Sequence, residues 1–177
     1  GMRAVARLGA RKMPTIEATV VYDPRVASGL LSHLTGAING SAVARGTSFL
    51  KDQLNKAVFS PSITIVDDPH RPHGLRSKPF DGEGLANEKL NLVKDGVLTT
   101  WLLDLATARQ LGMISCGRAS RGTSAPPSPS PTNLHLEAGT LTPDELMADI
   151  DNGFYITSLM GMGVNGVTGD YSRGASG

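Results

Sequence analysis

The sequence predicts an α+β fold, a mostly antiparallel or mixed sheet with hairpins, packed on a central helix rich in small residues. Three observations predict it. Short β-branched or alternating stretches outnumber helical ones. Asp95-Gly96 sits between two apolar-rich runs, the strongest short-range hairpin signal in the chain. Val26, Leu30, His33, Leu34, Ala37, Ile38 and Ser41 recur at three- and four-residue spacing and so share one helix face. The chain has 177 residues, 40% hydrophobic and 19% charged, a composition that buries a real core and suits a single domain over 1–177. Its 17 Lys and Arg against 16 Asp and Glu are scattered, with net charge +1, which argues against direct nucleic-acid binding.

Taken in order, residues 1–16 read as an N-terminal arm or short helix, with Gly1 before Met2 as a tag-cleavage remnant. EATVVY, 17–22, is a β-branched strand that stops at Asp23-Pro24, an N-cap with proline at the first helical position. The helix opening there is expected to run to about Arg45. Gly29, Gly36 and Gly40 cost it roughly 1 kcal/mol each, so close packing against them and Ser41 is expected to compensate. A second helical segment is read over 49–59, FLKDQLNKAVF, and a strand over 62–68.

A loop rich in proline and arginine comes next, then the hairpin, then a short helix from Ala106 to Leu111 stopped by Gly112. SAPPSPSP, 124–131, reads as an extended segment lying on another surface. Asn133 to Glu137 alternates as a strand. Thr142-Pro143-Asp144-Glu145 is a capping box, FYITSLMGMG a strand, and the rest a glycine-rich ending.

Candidate chemistry is sparse. Gly161 to Gly166 spells GxGxxG, but residues 167–177 are rich in turns and open no helix to receive a pyrophosphate. His70 and His73 stand near Asp67 and Asp68, yet prolines at 69 and 72 hold the backbone extended and do not aim both imidazoles at one ion, so a solvated loop is expected. Cys116, the only cysteine, reads as a half-buried thiol in a reducing compartment. His33 has Gly29 four residues before it and Ala37 four after, which leaves it without a paired ligand and favours a packing role. No apolar run reaches bilayer length and no signal-peptide core precedes residue 30, so a cytoplasmic protein without a membrane partner is expected.

Several stretches together carry a resemblance: DPRVASGLLSHLTGAINGSAVARGTSFL, ITIVDDPHRPHGLRSKPFDGEG, KDGVLTTWLLDLATARQLG, GRASRGTSAPPSPSPTNLHLEAGTLTPDEL and GMGVNGVTGDYSRGASG. From about Ala18 to Gly177 the chain resembles the TldD/PmbA family, also called modulator of DNA gyrase, and within it the PmbA/TldE branch. The resemblance implies an incomplete C-terminal domain, without the family's N-terminal domain and final strands. It implies a cytoplasmic, heterodimeric zinc metallopeptidase of TldD and TldE that degrades or matures extended peptides, with the zinc in the TldD-like partner.

The TldD motif H-E-x-x-x-H falls on Ser32, His33 and Ala37, so no catalytic or metal-binding residue is expected in this chain. Polar residues on the shared stretches, Arg118, Arg121, Asn133, Asp170 and Arg173, are candidates to face a peptide bound through its main chain. Two alternatives are an autonomous metal-dependent peptidase using His33, His70 or His73, and a regulator acting on gyrase indirectly.

Overall fold

The computed structural model describes residues 1–5 and 8–177; residues 6 and 7, inside the predicted arm, lie outside the described residues. Along the chain run α1 (Met2–Val5), β1 (Thr19–Tyr22), α2 (Pro24–Ala37), α3 (Gly40–Ala44), β2 (Ile65–Asp67), β3 (Leu90–Lys94), β4 (Val97–Leu98) and α4 (Leu105–Leu111). Then come β5 (Ala119–Ser120), β6 (Ser128–Pro129), β7 (Leu134–Leu136), α5 (Pro143–Ala148), β8 (Gly153–Ile156), β9 (Ser158–Met160) and β10 (Gly174–Ser176). The class is α+β, as predicted. The chain divides into two compact units: Gly1–Ser28 with Thr140–Gly163 and Ser172–Gly177, and Gly29–Gly139 with Val164–Tyr171.

The second unit is built on an antiparallel sheet of order β4-β3-β2-β7. The β3–β4 hairpin turns where it was predicted: Asp95 (φ 49°) and Gly96 (φ 79°) both take positive φ, the sign pattern of a type I′ turn. Gly96 is also required by space, because a Cβ there would meet the carbonyl oxygens of Phe59 and Ser60. Leu92, Leu98, Leu102 and Leu103 are fully buried and, with Trp101, pack against Leu34, Ala37 and Ile38. Each such leucine contributes about 1.5–3 kcal/mol of burial. The predicted short helix is α4, closed by Gly112 at φ 65° and opened by a capping box in which Asp104 Oδ1 accepts from Thr107 N at 2.8 Å.

Two helical expectations need correction. The helix expected from Pro24 to Arg45 is two helices, because Asn39 leaves the helical region (φ −66°, ψ 123°) and caps α3. The break has a tertiary cause. Leu102 N donates to Ile38 O at 3.0 Å and Gly40 N donates to Leu102 O at 2.8 Å, so this backbone pairs with the strand-like segment beside it. Residues 49–59 form no helix either, but a series of turns with Asn55 at φ 61°. They run beside β4 instead, with Asn55 N to Leu98 O at 2.7 Å, Leu98 N to Lys56 O at 3.0 Å and Val58 N to Gly96 O at 2.9 Å.

Close packing also holds for only one of the three glycines. A Cβ on Gly40 would stand 2.7–2.8 Å from Thr107 Oγ1, Leu102 O and Leu103 Cδ2, whereas Gly29 and Gly36 have nothing within 4 Å. Part of the SAPPSPSP stretch is extended as expected: β6 pairs with β5, and Pro129 O accepts from Asn39 Nδ2 at 3.0 Å.

In the first unit β1 pairs in parallel with β8, register Val20 to Phe154, and β9 pairs antiparallel with β10. The strand read in FYITSLMGMG is thus divided at Thr157, whose N donates to Ser176 O at 2.8 Å. The predicted capping box opens α5: Glu145 accepts from Thr142 N at 2.8 Å, and that hydrogen bond lowers the Glu145 pKa. Among the described residues no helix is long and apolar enough to cross a membrane.

Candidate functional site

Helix α2 opens as its sequence demands. Asp23 accepts from Arg25 N at 3.0 Å and from the Arg25 guanidinium at 2.8 and 2.9 Å, and Tyr155 OH donates to the same carboxylate at 3.2 Å. The Arg25 side chain, foremost among these donors, holds the Asp23 carboxyl well below the usual carboxylate range.

Farther along α2, Ser32 is exposed, His33 is half-buried and Ala37 is buried. Five residues of helix turn Ser32 and Ala37 roughly 140° apart, which puts one in solvent and the other in the core. The Ala37 carbonyl accepts from Ser48 Oγ at 2.5 Å, closing the end of the helix. His33 meets the ring of Tyr171 edge-on, centroids 5.8 Å apart and planes at 74°. It is a packing residue held by a ring contact; among the described residues its imidazole makes no hydrogen bond.

Tyr171 belongs to a closed loop, 164–171, where the GxGxxG letters end. Asn165 Oδ1 accepts from Val167 N and Thr168 N, and Asn165 N donates to Asp170 O at 2.9 Å. Gly166 O accepts from Phe49 N at 3.0 Å, and a Cβ on Gly169 would stand 3.0 Å from the Phe49 ring. The loop is a turn structure packed on Phe49 and His33, not the start of a helix.

The peptide-facing candidates occupy different environments. Arg118 is fully buried: Nε donates to Asp67 Oδ2 at 2.5 Å, Nη2 to Glu88 O at 2.5 Å, and Nη1 to Cys116 O at 3.1 Å. Its guanidinium is thus engaged inside the protein rather than turned to solvent. Asn133 is likewise occupied, donating to Asp68 O at 2.8 Å and Ser77 Oγ at 2.9 Å and accepting from Arg76 N at 3.0 Å. Arg121 is exposed, and its guanidinium has no partner among the described residues. Asp170 is exposed and accepts from Thr168 Oγ1 at 2.6 Å. Arg173, in the first unit, donates to Met160 O at 3.2 Å.

Sequence reading did not anticipate the polar centre at the end of β2. Asp67 also accepts from Thr132 N at 2.8 Å and Thr132 Oγ1 at 3.0 Å, which satisfies both its oxygens. Nearby, Asp81 accepts from Glu83 N, Leu85 N and Ala119 N. The available signal was the pair of acids at 67 and 68, at the end of an apolar strand, where one of them must turn inward.

The whole chain is similar to known proteins. The profile described as "PmbA/TldA metallopeptidase C-terminal domain" matches residues 15–177. The chain belongs to the PmbA/TldD metallopeptidase family. It is 41% identical to "Metalloprotease PmbA" of Escherichia coli O157:H7 over 175 residues, 99% of this chain and 37% of that protein. A crystal structure of a candidate modulator of DNA gyrase from Thermotoga maritima superposes with TM-score 0.87 at 31% identity, covering 98% of this chain and 40% of that one. TldE from Thermococcus kodakarensis gives 0.73 at 26%, over 82% and 34%. The chain spans a little over a third of the length of these relatives.

Metallopeptidases of the PmbA/TldD family imply a zinc ion, and the donors of this chain do not fit one. Serine is a poor zinc ligand, alanine is none, and an imidazole packed on Tyr171 is not a carboxylate base. Among the described residues no three His, Cys, Asp or Glu side chains are grouped to hold an ion. His70 Nε2 lies 3.1 Å from Asn87 Oδ1, His73 takes a positive φ of 55°, and Asp67 is consumed by Arg118. The expected solvated loop is thus anchored at one end by a buried acid. Cys116 is an unfit nucleophile as well: Leu103 N donates to its sulfur at 3.2 Å, and burial pushes the thiol pKa up.

Proposed function

We propose that this chain is the PmbA/TldE-like, non-catalytic region of a two-subunit TldD/TldE-type metallopeptidase of the cytoplasm. A TldD-like partner supplies the zinc, and extended peptides are the substrates. Residues 1–177 form much of its C-terminal domain. The observation that carries the reading is the residue set on α2, with Ser32 in solvent, His33 against Tyr171 and Ala37 in the core. Arg121, Asp170 and Arg173 each keep an exposed or half-exposed polar group that could meet a peptide, while Arg118 and Asn133 are held by hydrogen bonds within their own unit. Any influence on gyrase, which the description of the Thermotoga relative names, is read as a consequence of peptide degradation.

The test is elemental analysis and peptidase assay of the protein alone and mixed with a TldD-like subunit. Substoichiometric zinc alone, with cleavage of an unstructured peptide only in the mixture, is expected. About one equivalent of zinc and cleavage by the protein alone would favour the autonomous peptidase and overturn the proposal.

A further inference from the structure

The sequence holds three Asn-Gly steps, at 39–40, 152–153 and 165–166. Asparagine is thermolabile, and most so before glycine, which puts no side chain in the way of the reaction. The glycine nitrogen attacks the asparagine Cγ, a five-membered succinimide closes, and ammonia leaves. Three internal properties of the segment govern that step. The glycine N–H must be free, the side-chain nitrogen must be free to depart, and donors to Oδ1 must stabilise the negative charge that develops there.

Asn39 is locked. Its Oδ1 accepts from Ser41 N at 2.9 Å, but Gly40 N donates to Leu102 O at 2.8 Å and Asn39 Nδ2 donates to Pro129 O at 3.0 Å, which ties down both nucleophile and leaving group. Asn152 is unassisted: among the described residues its side chain has no hydrogen-bond partner, and Gly153 is fixed in register with Thr19 at the start of β8.

Asn165 differs from both. Its Oδ1 accepts from Val167 N at 3.0 Å and Thr168 N at 3.3 Å, two backbone donors on the oxygen that takes the charge. Gly166 N and Asn165 Nδ2 have no hydrogen-bond partner among the described residues. The donors are held in place. Asn165 N donates to Asp170 O and Gly169 N to Asn165 O, both at 2.9 Å, and Gly166 O accepts from Phe49 N at 3.0 Å. Thr168 Oγ1 donates to Asp170 Oδ2 at 2.6 Å. Donors fixed in this way need no reorganisation as charge develops.

We propose that Asn165 is a self-modifying residue, converted by its own loop through a succinimide with Gly166 to aspartate and isoaspartate. Gly166 N bonds to Asn165 Cγ and gives its proton to water, while the Cγ–Nδ2 bond breaks and the nitrogen leaves as ammonia. Water then opens the ring at either carbonyl, and no electrons are exchanged. The product carries a carboxylate in place of a neutral amide. Its isoaspartyl form adds a methylene to the main chain of the loop whose Tyr171 packs on His33 of α2. The reaction is a one-way, time-dependent change beside that helix, and it stands apart from the partner-subunit reading.

The experiment incubates the intact protein in mildly alkaline buffer and follows all three steps by peptide mass mapping, with isoaspartate-specific enzymatic methylation as a second readout. Gly166→Ala is the decisive variant. Its Cβ would meet only Thr47 O, at 4.0 Å, and Gly166 does not take positive φ, so the loop accepts the methyl group while the attacking nitrogen is crowded. An unchanged melting temperature establishes that the variant folds. Asn165 is expected to convert several-fold faster than Asn152, with Asn39 unchanged, and faster in the folded protein than in guanidinium chloride. Gly166→Ala is expected to slow Asn165 several-fold and leave Asn152 as it was. Asn165 converting no faster than Asn152, or faster in the unfolded chain than in the folded one, overturns the proposal, and so does a folded Gly166→Ala variant that converts at the native rate. The comparison of folded and unfolded native protein decides the matter even if the variant does not fold.

Discussion

Two aspartate–arginine pairs, one in each unit, show how differently the same chemistry behaves. Asp67 and Arg118 are both 0% exposed, and further hydrogen bonds from Thr132 and to backbone carbonyls complete their shells. Asp23 and Arg25 lie two residues apart at the start of α2, with Arg25 53% exposed. The first pair has left water entirely, so either partner alone would be an uncompensated buried charge. The second is screened, and its work is to cap a helix. Burial, not the identity of the partners, decides what each pair does for the fold.

The contrast is broken or sharpened by a series of substitutions. Arg118→Ala should have the largest effect, about 3–5 kcal/mol in urea unfolding, because it strands Asp67. An apolar replacement of both Asp67 and Arg118 should recover part of that loss. A cost under about 1 kcal/mol for the single variant would mean water reaches the pair and the contrast fails. Next, Gly40→Val should cost about 1–3 kcal/mol or more, since its Cβ has no room, whereas Gly36→Ala should stabilise α2 by about 0.5–1 kcal/mol, and thermal melts would rank them. Asp104→Ala, which removes the cap of α4, should cost about 1 kcal/mol by chemical denaturation.

The smallest effect belongs to the surface pair. Asp23 has a folded pKa below its ordinary value of 3.8, so the stability it contributes is present above that value and is lost as pH falls through the folded one. Asp23→Asn should therefore flatten the acid limb of the melting temperature below pH 3.8 and leave the neutral region nearly parallel. An unchanged acid limb would show that Asp23 is no better held in the folded chain than in the unfolded one.

Much of the architecture was legible because its signals are local. Asp95-Gly96 needs only positive φ at two adjacent residues, and Thr142 with Glu145 needs only one turn of helix to close its box. The same holds for Asp23-Pro24 and for Gly112. Of the candidate site, the sequence shows only residue chemistry: alanine is no zinc ligand and serine a poor one, whichever way Ala37 and Ser32 point. Illegible features involve residues distant in sequence. The periodicity through Ile38 and Ser41 is helical in either arrangement, and only Leu102 makes the break at Asn39 the better use of that backbone. FLKDQLNKAVF has a helical pattern, yet β4 offers it hydrogen bonds that a helix would forgo.

By itself, then, the sequence determined the class, the hairpin and the caps, all consequences of side-chain type and short-range sterics. Tertiary structure alone decided which way the polar residues face. Arg118 and Arg121 are three apart on one motif-rich stretch, yet one is sealed against Asp67 and the other stands in solvent. Likewise Asn133 holds the loop that lifts Leu75 out of the protein. Orientation is set by packing between segments far apart in the chain, and an arginine carries no local mark of whether a buried carboxylate awaits it.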